Sequence, residues 1–364
     1  MGTCRVCGRS DLLISDAVGV CIDCLRRRPR KALEVAARAH RISRARFKLP
    51  PAPPSGGVPC GICGRGCAVP EGGVGYCGVV RNIGGRLGRP GGDVNVGVLT
   101  YYFDPIPTNC VADWVCPAAT GRGYPKYARS PLGEEGYYNL AVFYGACSLD
   151  CLYCQNWQYR EYPSSPRLVS VAELERAMGR RVTCVCFFGG DPAPQTVHAL
   201  LVAKKAAEKG VRVCWETSGQ LAPHLLDKVV EASLKTGGIV KFDLKAFTPS
   251  VYKALTDGEV DVALRNFKAA ARRFRERPEV PLVVASILLV PGYVDEVEVD
   301  LLTKFVAQIN PEIPTRFLAF HPDYMLRDLP PTSRRHAEAA VKIARENGLA
   351  EVSLGNEWLL GDYY

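Results

Sequence analysis

Three cysteines fall within eight residues, Cys147-Ser148-Leu149-Asp150-Cys151-Leu152-Tyr153-Cys154, directly after the apolar run Tyr138–Gly145. This spacing confines three thiols to one loop at the exit of a strand, so the fold must open that loop toward whatever the thiols bind. Three thiolates ligate three irons of a 4Fe–4S cluster and leave the fourth iron open to a small molecule. A structural zinc would ask for a fourth ligand nearby.

Downstream of residue 137 the pattern alternates. Strands are predicted at Tyr138–Gly145, Val182–Phe188, Val211–Glu216, Ile239–Leu244, Leu282–Val290 and Thr315–Phe320, each rich in β-branched or aromatic residues. Amphipathic helices are predicted between them at Gln195–Lys209, Pro223–Lys235, Val262–Arg275, Val297–Gln308 and Ser333–Asn347. Near-continuous apolar strands alternating with such helices imply a parallel sheet covered by helices. Six units fit an α/β fold, a partial (β/α)6 TIM-like barrel, whose working residues lie at the C-terminal ends of its strands.

Most of the sixteen cysteines are clustered at metal-ligand spacing rather than scattered, which favours thiolates on metals in a reducing compartment over disulfides. Cys4, Cys7, Cys21 and Cys24 form two C-x2-C knuckles with zinc-ribbon spacing, ligands that also suit a rubredoxin-like iron. Cys60, Cys63, Cys67 and Cys77 form a second set, whose spacing suits either a zinc or an auxiliary cluster. Cys110 and Cys116 read as substitute ligands, a redox pair or buried thiols, and Cys184, Cys186 and Cys214 as core. The organisation predicted is a zinc-ribbon-like module with a basic helix over 1–49, a Pro-rich linker over 50–59 and a Cys/Gly-rich region over 60–136. The barrel follows over 137–322, with a C-terminal helix and closing segment over 323–364. Residues 1–59 carry 12 Lys/Arg against 4 Asp/Glu, so most of the net charge of +9 lies there. That module is expected to be separable from the body and to recruit an acidic partner.

The strand ends carry polar residues suited to a zwitterion. Gly189, Gly190 and Asp191 combine a backbone that a ligand can approach closely with an acid able to receive an ammonium. Glu216 and Thr217 end the third strand, where the acid could equally cap the next helix. Asp243 and Lys245 alternate onto one face of the fourth, and His321 ends the sixth. With the three cysteines, these segments resemble the radical S-adenosylmethionine (SAM) superfamily over roughly residues 60–330. Within it the chain is similar to the glycyl-radical-activating enzymes, of the pyruvate formate-lyase activating kind, and their AmmeMemoRadiSam relatives. The resemblance implies that Cys147, Cys151 and Cys154 hold a catalytic 4Fe–4S cluster. It also implies that Tyr153, Gly189, Gly190, Asp191, Glu216, Thr217, Asp243, Lys245 and His321 surround SAM. Asp191 stands where the family has Glu, and Glu216 where it has Asp.

Three readings follow. The first is a radical SAM oxidoreductase that abstracts hydrogen from a protein or peptide and draws electrons from a ferredoxin- or flavodoxin-like donor. The second is a radical SAM enzyme that modifies RNA held by the basic helix. The third, a non-enzymatic zinc- and RNA-binding protein, leaves the strand-end residues unexplained. No apolar run reaches the ~18–20 residues a bilayer span requires and the N-terminus carries no export signal, so no membrane partner and a cytoplasmic location are expected.

Overall fold

The computed structural model describes residues 1–108 and 110–364. One nine-stranded sheet organises it: β1 (Val96–Pro105), β2 (Tyr138–Tyr144), β3 (Leu168–Ser170), β4 (Val182–Gly189), β5 (Arg212–Thr217), β6 (Val240–Asp243), β7 (Val283–Leu289), β8 (Thr315–Ala319) and β9 (Val352–Gly355). Their order is β9-β8-β7-β6-β5-β4-β2-β1-β3. β2 and β4 to β9 are parallel, and β1 runs antiparallel to both β2 and β3.

The α-helices longer than four residues are α1 (Ile22–Arg27), α2 (Pro29–Arg46), α3 (Val171–Ala177), α4 (Thr196–Glu208), α5 (Pro223–Thr236), α6 (Pro249–Thr256), α7 (Val260–Ala271), α8 (Glu296–Ile309) and α9 (Arg334–Glu346). Their boundaries follow local chemistry. Ser170 and Asp295 cap α3 and α8 by accepting the amides of Glu173 and Glu298 at 3.1 Å, and α5 begins at Pro223 and stops at Gly237 in the left-handed region.

All six strands and five helices read from the sequence are present to within a few residues. The sheet exceeds the expectation at both edges. β9 adds a seventh parallel strand in the segment read only as closing, and β1 extends the sheet from a region read as loop-rich. β1 was hidden by its glycine- and proline-rich flanks. β9 is a four-residue strand with intermediate burial throughout, too short to show a period.

The N-terminal residues are not set apart from the barrel, contrary to the expectation from the proline-rich linker. Ala32, Ala36 and Ala39 share one face of α2 and are buried with His40, Ser43 and Arg44, because small side chains let the helix approach closely. Arg26 grips Asp295 in a fork at 2.6 and 2.8 Å and reaches Glu298 at 3.1 Å. Tyr293 donates its hydroxyl to the Val20 carbonyl at 3.0 Å and receives the Ser15 amide at 3.1 Å. Gly292 permits this contact, since a Cβ there would lie 2.1 Å from the Leu13 carbonyl oxygen. The linker is itself tied down, the Pro54 carbonyl accepting the Ala68 amide at 2.9 Å. The composition signalled charge, whereas the alanine face decides the packing.

Candidate active site

A cavity of about 230 Å³ opens at the C-terminal ends of the parallel strands. Cys147, Cys151 and Cys154 line it from the loop after β2, Gly189 to Asp191 from β4, Glu216 and Thr217 from β5, and Asp243 and Lys245 from β6. Gly189 has a φ of 111°, and a Cβ there would sit 2.6 Å from the Tyr144 nitrogen. Only glycine lets β4 turn so close to β2.

The cysteine loop is held from several sides. The amides of Asp150 and Leu152 bond the carbonyls of Thr256 and Leu255 at 2.8 and 2.9 Å, and the Leu152 carbonyl receives the Met325 amide at 2.9 Å. Asp150, in the middle of the loop, is fully buried. It receives Arg160 at 2.9 and 3.0 Å and the Ser43 hydroxyl at 2.8 Å, and pairs with His40 at 3.0 Å. His40 also reaches the Ala254 carbonyl at 3.0 Å. Against its burial, the His40 and Arg160 side chains hold Asp150 well below the usual carboxylate range. Helix α2 is thus part of the support of this loop, a role no motif in its sequence announced.

The donors present fit an iron–sulfur cluster and SAM. Cys147 and Cys151 are buried, and burial raises both thiols, Cys151 to about 12, so a metal binding there must displace protons. The Cys147 sulfur accepts the Leu149 amide at 3.3 Å, a contact of the kind that tunes cluster thiolates. Tyr153, which lines the cavity, has a buried hydroxyl with no partner among the described residues, an orphaned polar atom of the kind a ligand satisfies. Lys245 donates to Asp243 at 3.1 Å. Burial opposes its charge, but Asp243 and Tyr153 beside it keep the ammonium above its usual pKa.

Several residues read as SAM contacts are otherwise engaged. Asp191 is buried and accepts the Ala193 amide at 2.7 Å, the Thr217 hydroxyl at 3.1 Å, the Ser218 amide at 2.8 Å and the Ser218 hydroxyl. It therefore ties the ends of β4 and β5 together from within the cavity lining. Glu216 turns toward Lys241 at 3.0 Å. His321 is exposed and lies outside the cavity lining, because the chain turns outward at Pro322.

Among the described residues, Cys4, Cys7, Cys21 and Cys24 bring four sulfurs within 4.8 Å of one another. The 3.8 Å between the sulfurs of Cys7 and Cys21 matches the edge of ~3.8 Å that follows from four Zn–S bonds of ~2.3 Å in a tetrahedron. Cys60, Cys63, Cys67 and Cys77 line one small cavity with Arg65 and Tyr76, but no three of their sulfurs meet that spacing. Cys184 and Cys186 are buried, as a core reading expects, while Cys110, Cys116 and Cys214 are half-buried. All five line a further cavity inside the sheet. The signal was in the sequence, since Cys184 and Cys186 share a strand face and Cys186 pairs in register with Cys214.

Residues 141–304 match the radical SAM superfamily model. An uncharacterized protein of Methanocaldococcus jannaschii is 28% identical over 307 residues, covering 82% of this chain and 81% of that protein. A domain of pyruvate-formate lyase-activating enzyme from Bacteroides vulgatus superposes with a TM-score of 0.38 at 21% identity, over 47% of this chain and 98% of that one. Streptococcus suis SuiB bound to its precursor peptide SuiA gives a TM-score of 0.45 at 16% identity, over 58% of this chain and 47% of that one. With its open parallel sheet and cysteine loop at the strand ends, the chain carries a radical SAM domain at residues 141–304 and is an enzyme.

Proposed function

We propose that Cys147, Cys151 and Cys154 hold a 4Fe–4S cluster at which SAM is reductively cleaved, and that the enzyme abstracts a hydrogen atom from a protein or peptide. The observation carrying this reading is that the three thiols, Tyr153, the Gly189–Gly190 turn and Lys245 line one cavity. When bound, the cluster and SAM supply the electron and the 5′-deoxyadenosyl radical that such chemistry needs. The protein binds and orients. Lys245 offers its ammonium to the SAM carboxylate, Tyr153 its hydroxyl to a polar atom of the ligand, and Asp191 keeps the β4 and β5 loops in register around it. A low-potential ferredoxin- or flavodoxin-like donor supplies the electron. Of the N-terminal sets, Cys4, Cys7, Cys21 and Cys24 suit a zinc by their spacing.

The test is anaerobic reconstitution, reduction with dithionite and chromatography of the products. The wild type is expected to form 5′-deoxyadenosine from SAM, and alanine at Cys147, Cys151 or Cys154 to abolish it, since two thiolates cannot hold the site-differentiated cluster. Wild-type turnover in any of the three would overturn the reading. The protein or peptide class rests on the family resemblance. RNA as the substrate is favoured by one observation: Arg27, Arg28, Arg30, Lys31, Arg38 and Arg41 stay exposed along α1 and α2 while the opposite face is buried. RNA binding that weakens steeply with salt would favour that second reading.

A further inference from the structure

The cavity inside the sheet holds chemistry that the SAM site does not use. Its volume is about 80 Å³, room for several waters when one needs roughly 10–15 Å³. Cys184 and Cys186 reach it from β4, Cys214 from β5, and Cys110 and Cys116 from the segment that covers it. Lys241, on β6, is 1% exposed there. Its ammonium donates to the sulfurs of Cys110 at 3.2 Å and Cys186 at 3.1 Å and to Glu216 at 3.0 Å.

A buried ammonium is costly unless anions surround it, and Glu216 is the one carboxylate within reach among the described residues. That carboxylate balances the charge, and the two sulfurs complete the ammonium's hydrogen bonds, so the lysine is already placed to donate to thiolates held on a metal. The sulfurs of Cys110 and Cys116 each accept a backbone amide at 3.4 Å, from Ala112 and Ala119. The Cys110 contact repeats the two-residue pattern of Cys147 and Leu149. Cys184 differs: its thiol donates to Asn139 at 3.4 Å, whereas Cys110, which also reaches Glu216 as a donor at the longer 3.9 Å, accepts the Lys241 ammonium at 3.2 Å.

The spacing separates two classes of occupant. A single ion ~2.3 Å from each sulfur draws them to ~3.8 Å apart. No three of these sulfurs lie within 4.8 Å of one another among the described residues, although Cys110 and Cys186 share one ammonium. A polynuclear cluster holds its thiolates farther apart, each ligating a different iron, so the lack of single-ion spacing does not count against it. We infer that the cavity binds a second iron–sulfur cluster, ligated by Cys110, Cys116, Cys186 and Cys214, with Lys241 donating to the sulfurs of Cys110 and Cys186. The cavity shares Phe188 and Glu216 with the one lined by Cys147, so the cluster stands beside the reacting centre. That adjacency rests on the proposed SAM site, whereas the occupancy does not.

The test compares full-length wild type with the variant Cys186→Ser/Cys214→Ser after anaerobic reconstitution with ferrous iron and sulfide. The variant is expected to lose one cluster's complement of iron and sulfide. SAM should still perturb the paramagnetic resonance of its remaining reduced cluster, a response that would vanish if the proposed SAM site itself were wrong. Equal iron and sulfide in the two proteins overturns the inference. If the variant does not fold, the wild type carries the test through alkylation with N-ethylmaleimide, read at Cys110 and Cys116 by mass spectrometry. Reconstitution is expected to slow alkylation at both by about tenfold or more relative to apoprotein, since a ligated thiolate is no longer a free nucleophile. Unchanged rates, or equal protection by zinc alone, overturn the iron–sulfur assignment.

Discussion

Lys245 and Asp191 follow β6 and β4, on either side of β5, and their surroundings assign them different work. Lys245 has one carboxylate partner, Asp243, and faces the cavity, so its charge remains available to a ligand. Replacing it with Met keeps the bulk and removes a charge-assisted bond, at a cost of about 1.5–3 kcal/mol. SAM affinity, measured by equilibrium binding, is expected to fall about ten- to hundred-fold while the cluster absorption spectrum stays unchanged. An unaltered dissociation constant would make Lys245 a structural residue. The sequence displayed the residue types of this site because strand ends and turn glycines leave local signatures. It did not display how Asp191 is spent, since Thr217 and Ser218 come to it from another strand. Nor did it show His321 turning outward, for the same motif can carry its side chain to either side of a strand end.

At the scale of elements, strands and helices with a strong period were legible from the sequence. The two strands that were missed are the flanked β1 and the short β9. Helix α2 is the instructive case. Its ten basic neighbours suggested a detached, solvated rod, yet its alanine stripe seats it on the barrel and brings His40 and Ser43 to Asp150. Removing residues 1–49 should therefore do more than remove charge. It strips two partners from a buried carboxylate and uncovers the face against which the cysteine loop is held. We expect the truncated apoprotein to be about 3–5 kcal/mol less stable by urea denaturation, the range for breaking a buried ionic network. Its 4Fe–4S content after reconstitution should fall as well. Unchanged stability with full SAM cleavage would show that α2 is a passive appendage.

Over the whole molecule, buried titratable groups set how stability responds to acid. Burial pushes His198 down to about 4, with its ring 2.8 Å from the Tyr144 hydroxyl, and lowers His336 as well. An unfolded histidine titrates near ~6.5. Between those values the unfolded chain binds more protons than the native one, so stability falls as pH drops from ~6.5 toward ~4, by at most about 3 kcal/mol from His198. Despite burial, Asp150 and Glu134 are held low by the cations beside them. Their contribution, present above the unfolded carboxylate pKa, is lost below about pH 4. Urea midpoints of the apoprotein at pH 7 and 4.5 are expected to differ, and the difference to shrink in His198→Gln. An equal difference in that variant would move the effect to other groups. The grip on Asp150 also has a bearing on how the protein is made. His40 lies 110 residues ahead of its partner, so a ribosome adding about 5–20 residues per second delivers the loop roughly 5–20 s after the helix. During that interval the alanine stripe of α2 has nothing to cover it, and the nascent chain cannot accept iron in its proper cradle. The loop's other supports, the Thr256 and Leu255 carbonyls and the Met325 amide, arrive later still, so the cradle of the three cysteines is complete only once synthesis has passed residue 325.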